Sequence, residues 1–134
     1  MEGNKAQTND TANNTGSVNH YPRDEKVREA VEQLAKAVLE SDTYKEFQAV
    51  SQHISGYPEL KEQVDNYRKD VFMVQTGRMG TVDVLKDLEA RSDELHADNL
   101  MDDYLNTENA MCRMYQRIIY MLIDRTDFDP GIEL

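Results

Sequence analysis

The chain has 134 residues, with 26 acidic residues against 15 basic ones and a net charge of −11. That length suits one domain rather than two. A direct nucleic-acid binder needs a basic face that replaces counterions on the phosphates, and an anionic membrane surface makes the same demand. No run of Lys or Arg breaks the acidic background, so direct binding to nucleic acid or membrane is not expected. The one cysteine, Cys112, excludes an intrachain disulfide and fits a reducing compartment. The first twenty residues carry no apolar stretch of the signal-peptide kind, and the longest apolar run, IIYMLI at 118–123, is too short to span a bilayer. The expected location is the cytoplasm.

Residues 1–22 are expected to be a disordered polar tail, since they contain Asn, Thr, Gly, Ser and Asp and almost nothing to bury against the ordering entropy. A first helix is expected over 24–40, where Val27, Val31, Leu34 and Val38 recur at four-three-four spacing on one face. Ser41-Asp42-Thr43 interrupts it with three good N-cap residues. A second helix then runs to about Ser55 with Tyr44, Phe47, Val50 and Ile54 on its face, and Gly56 suits its C-terminal cap. Pro58 fits the first position of a third helix, which carries Leu60, Val64, Tyr67, Val71 and Val74. Gly77 and Gly80 bracket a turn. Thr81 caps a fourth helix with Leu85, Leu88 and Leu95 inward and the polar Ser92 at the remaining core-spaced position. At His96–Asn99 either Asp98 or Asn99 caps a fifth helix, or the chain bends and continues. From 99 to 125 the pattern is helical, a length of roughly 40 Å. Its seam is Met101, Tyr104, Met111, Tyr115, Ile118 and Leu122, with Glu108 as the one polar member. Asp129-Pro130-Gly131 stops it. No segment alternates with a period of two. The expected fold is all-α, a helical bundle of short helices packed on a long C-terminal helix, spanning 23–128 and oligomeric, with 129–134 as a short tail.

The oligomer is expected because 118–123 is apolar almost all round, and such a helix must be covered on more than one side. Two readings stay open, a central helix wrapped by its own neighbours and an intermolecular seam. Met73, Met79, Met101, Met111, Met114 and Met121 add adaptable apolar surface. The candidate protein interface is Met111, Met114, Tyr115, Ile118, Ile119, Met121 and Leu122. The expected partners are proteins, in a homodimer or in a hetero-oligomer with related helical subunits.

Nucleophilic catalysis needs a nucleophile with a base beside it, whereas Cys112, between Met111 and Arg113, is expected to be a buried structural cysteine that packs. A di-iron bundle wants two Glu-x-x-His elements, whereas this chain offers Asp93-x-x-His96 once. There is no His-Glu-x-x-His, Cys-x-x-Cys or phosphate-binding glycine loop. No enzyme, catalytic residue, metal or cofactor is expected. The alternative is a small ligand- or metal-binding sensor, with a cavity between helices lined by Tyr67, Tyr104, Tyr115 and Met111.

Three stretches resemble the YlbF/YmcA family of bacterial regulatory proteins: AKAVLESDTYKEFQAV, with the helix break at Ser41 and the Tyr44 and Phe47 aromatics; YPELKEQVDNYRKDVFMVQ, with its leading Pro58 and the Tyr67-Arg68 pair; and ELHADNLMDDYLNTENAMCRMYQRIIYMLI, with the Asp98-Asn99 break, Tyr104 and Glu108-Asn109. The resemblance covers about 26–125. It implies short helices on a long one, homo- or hetero-oligomers, and regulation of competence, sporulation and biofilm formation. It also implies an accessory role in a complex that acts on the endoribonuclease RNase Y in mRNA maturation. Iron–sulfur clusters are attributed to that complex. Here the single Cys112 departs from the pattern, since a chain that holds a cluster by itself needs about four thiolates.

Overall fold

The computed structural model describes residues 19–78 and 80–131. Residues 1–18 of the expected polar tail, Met79 and residues 132–134 lie outside them. Five helices and no strand occur among the described residues: α1 (Glu25–Glu40), α2 (Asp42–Ile54), α3 (Pro58–Gln75), α4 (Val82–Ala97) and α5 (Asn99–Thr126). The chain divides after Glu40 into two units.

The first unit contains α1. Asp24 Oδ1 accepts a hydrogen bond from the Val27 amide at 3.1 Å, which satisfies one of the free N–H groups at the helix start. Val27, Val31 and Leu34 lie at helical spacing on one face, and all three are exposed.

The second unit holds α2 to α5, and each element starts where side-chain chemistry tells it to. Ser41 Oγ accepts from the Tyr44 amide at 3.2 Å, Thr81 Oγ1 from Val84 at 3.3 Å, and Asp98 Oδ1 from Met101 at 2.9 Å. Asp98 thus caps a separate fifth helix, and the chain breaks there rather than bending onward. Pro58 occupies the first turn of α3, where its missing N–H costs nothing. Gly77, at φ +76°, closes α3: its N–H donates to the Val74 carbonyl and that of Arg78 to Met73, the paired bonds of a glycine-terminated helix. α5 ends at Asp127, left-handed at φ 53°, ahead of Pro130. The amides of Asp127 and Phe128 both donate to the Ile123 carbonyl.

α2, α3 and α4 all pack on α5. The core is Ile54, Val64, Leu95, Met101, Tyr104 and Leu105, supported by Phe47, Val50, Leu60, Tyr67 and Leu100. Phe47 stacks on Tyr104 with ring centroids 6.3 Å apart. Ile54 and Val64 are fully buried, a burial that favours folding by roughly 1.5–3 kcal/mol for each side chain.

Four positions differ from the pattern read in the sequence. Leu85, expected inward, is 48% exposed, because it looks into an open cleft between α3 and α4. Leu105, off the expected seam, is buried, because three helices against α5 bury a wider sector than a single stripe. The seam residues Tyr115 and Leu122 are exposed at 51% and 58%. The 13 residues of α2 against the 28 of α5 explain this: at 1.5 Å per residue the shorter helix reaches about half the length of the longer one.

Candidate protein-interaction surface

The candidate interface residues all lie on α5, and the structure sorts them by depth. Met111 belongs to the buried face, with Met101, Tyr104 and Leu105. The surface available to a partner therefore begins at Met114. Met114 and Ile118 are half-buried, while Tyr115, Ile119, Met121 and Leu122 are exposed. No residue of α5 after Met111 is buried. The same stretch reverses the charge of the chain: Arg113, Arg117 and Arg125 stand against Asp124 alone, in a protein of net charge −11. Cys112, expected to pack, is exposed.

The first half of α5 is fixed by polar contacts as well as by the core. Arg68 on α3 donates from Nη1 to Glu108 Oε2 at 2.9 Å and from Nη2 to Asp65 Oδ1 at 2.7 Å. Lys61 Nζ donates to Asp65 Oδ2 at 2.6 Å. Burial pushes the Asp65 carboxyl up, but the bonds from Lys61 and Arg68 outweigh it and hold the group below the usual range. Glu108 ends on the other side. Its side chain is only 14% exposed, Oε1 is buried with no hydrogen-bond partner among the described residues, and burial raises its pKa against the pull of Arg68. Arg91 ties α4 to α3 through Asp70 at 2.7 Å, and its guanidinium lies over the Tyr67 ring at 5.9 Å. His96, in the last turn of α4, meets Asp102 in the first turn of α5, Nδ1 to Oδ1 at 2.5 Å. These contacts hold the first half of α5 against α3 and α4.

Among the described residues, Tyr67, Tyr104, Tyr115 and Met111 share none of four well-formed clefts. Tyr67 lines two clefts, of about 250 and 340 Å³, to which none of the other three contributes. Tyr104 and Met111 are in the packed face, and Tyr115 is on the surface. Among the described residues no group of three or more His, Cys, Asp or Glu is placed to hold a metal ion, and no helix is long and apolar enough to cross a membrane.

Sequence reasoning missed the burial of Glu108 by Arg68 and the cleft at Leu85. Both had a trace in the chain: Glu108 is the one polar residue on the α5 seam, and Ser92 is the polar break in the α4 stripe.

A family model described as control of the competence regulator ComK, YlbF/YmcA, matches residues 27–125. No curated protein and no solved structure gives a significant match. The matched span leaves out only the first two residues of α1 and the last of α5, and the chain belongs to the YlbF/YmcA family of regulatory proteins.

Proposed function

We propose that this chain is a non-catalytic regulatory subunit of the cytoplasm that works by docking onto other proteins, as an accessory to RNase Y-dependent mRNA processing. The observation that carries the reading is the end of α5, an exposed apolar and basic surface built onto an acidic scaffold. A solvated helix end gains nothing from consecutive Ile118, Ile119, Tyr120, Met121, Leu122 and Ile123, whereas a docking helix needs such a face. The partners are other helical subunits of the same kind and, through them, the ribonuclease. RNA itself is handled by the partner, because the acidic chain lacks a phosphate-binding face. No metal or cluster enters the reading.

The test is capture from native lysate by the full chain and by Ile119→Glu. A charge on the exposed apolar face carries a desolvation cost in any complex that buries it. The wild type should recover a set of proteins that includes the ribonuclease assembly, and Ile119→Glu should lose it while keeping its helical circular dichroism. Identical capture by both chains, or none by the wild type in gentle salt, would overturn the reading.

A further inference from the structure

Between α3 and α4 lies an open cleft of about 340 Å³. Its lining is apolar at Tyr67, Val71 and Val74 from α3 and at Leu85 and Leu88 from α4, with the polar Gln75 and Ser92 among them. Glu89 and Asp93 stand on the same lining, and both are exposed. Leu85, Glu89 and Asp93 succeed one another at four-residue steps, which sets the acids in line with the exposed leucine. The helix that carries them has five acids against two bases, and one of those bases, Arg91, is already engaged by Asp70 and Asp87. An apolar floor with an acidic margin suits an apolar ridge with a basic margin.

The same unit carries such a ridge. On α5, Met114, Ile118, Met121 and Arg125 follow at four-three-four spacing and so fall on one line. Arg117 lies three residues after Met114 and four before Met121, beside that line. Met121 and its neighbour Leu122 are exposed. The cleft has room for a few side chains and not for the width of a helix, which suits a narrow ridge whose first and last members, Met114 and Met121, are unbranched and adapt to an irregular slot.

We propose that the α3–α4 cleft receives the Met114–Ile118–Met121 ridge of α5 from a second copy of this chain, with Arg117 and Arg125 brought to Glu89 and Asp93. The proposal rests on the reading of the α5 end as a docking surface and names one of its partners. Cleft and ridge are different patches, so the contact is heterologous, and each copy offers one of each. Opposite charge at the margin speeds encounter and fixes register.

This asymmetry provides the test, with masses measured by light scattering on the full chain from a few to several hundred micromolar. The wild type should exceed the mass of one chain as concentration rises. Leu85→Glu, which spoils the cleft, and Met121→Glu, which spoils the ridge, should each stay at one chain, with helicity unchanged and with melting unchanged in dilute solution. An equimolar mixture of the two should recover a mass of two chains, because one intact cleft then meets one intact ridge. Arg117→Glu should weaken assembly about tenfold, and adding Glu89→Arg to the same chain should restore most of it, a rescue that misfolding does not give. A wild type that stays at one chain, a Leu85→Glu chain that assembles like the wild type, or a mixture that stays at one chain would each overturn the proposal. Lysate capture lost with Ile119→Glu and unaffected by Met121→Glu would then leave the regulatory reading standing without the self-contact.

Discussion

The two halves of α5 carry the same apolar periodicity and have opposite fates. From Asn99 to Met111 the helix is acidic, capped by Asp98, clasped by Arg68 through Glu108, and buried at Met101, Tyr104, Leu105 and Met111. From Cys112 to Thr126 it is basic, richer in large apolar residues, and exposed. Four-three-four spacing states that a helix has an apolar face. It does not state what covers that face. In the first half the cover is three helices of the same chain. In the second no residue is buried and the proposed cover is another molecule; the charge divides at the same place, acidic before Met111 and basic after it.

The largest effect that tests this contrast is in the packed half. Ile54 is fully buried in the core beside Met101, Tyr104 and Leu105. Ile54→Ala deletes apolar contacts and leaves a cavity, and should cost about 2–5 kcal/mol, read as a lower midpoint in urea. A loss below about 1 kcal/mol would show that α2 is held only loosely against α5, and the distinction between the halves would fail.

The outcome also marks where the sequence was legible. All five helices could be read from spacing and caps, because the signals are local: Ser41, Pro58, Thr81 and Asp98 act within three or four residues of themselves. Val64, Leu88, Leu95 and Tyr104 were placed inward, and they are buried. Leu85, Leu105 and Leu122 were not read correctly, since their burial depends on which helix lies opposite and how far it reaches, and that is a property of the assembled bundle. The Arg68–Glu108 pair spans forty residues of chain and no helical period records it. Within the candidate stretch 111–123 the spacing does not record depth, and Met111 is buried.

Glu108 gives the intermediate effect. Its folded pKa is raised by burial, with Arg68 opposing, so folding favours the neutral form. The sign follows directly: the contribution to stability is fully present below the unfolded carboxylate value and is lost as pH rises through the folded one. Glu108→Gln keeps the shape and removes that loss. The stability of the variant relative to wild type should therefore improve between pH 4 and pH 7, by on the order of 1 kcal/mol, the scale for one poorly satisfied buried oxygen. Urea titrations at a series of pH values check it, and the acidic groups that do not interact with Glu108 cancel in the difference, Asp65 being the one that shares Arg68 with it. If the two profiles run parallel, Glu108 is solvated in the folded protein and the base of α5 is looser than its contacts indicate.

The smallest expected effect is at the far end. Leu122→Ala removes the same kind of aliphatic side chain as Ile54→Ala, but from a position already 58% exposed. In dilute solution it should change stability by no more than about 0.5 kcal/mol, the ordinary range for a surface site. Concentration is what gives this variant its value. Anything that binds the folded chain raises its melting temperature by mass action, so a wild type whose α5 end is covered by another molecule should melt higher as protein concentration rises. Leu122→Ala, with a weaker end, should gain less. Two melting curves that are indistinguishable when dilute and separate when concentrated would place the cost of this leucine in assembly rather than in folding. Curves that already differ at the lowest concentration would place Leu122 in the fold of the single chain, and the division of α5 would have to be drawn closer to its C-terminus.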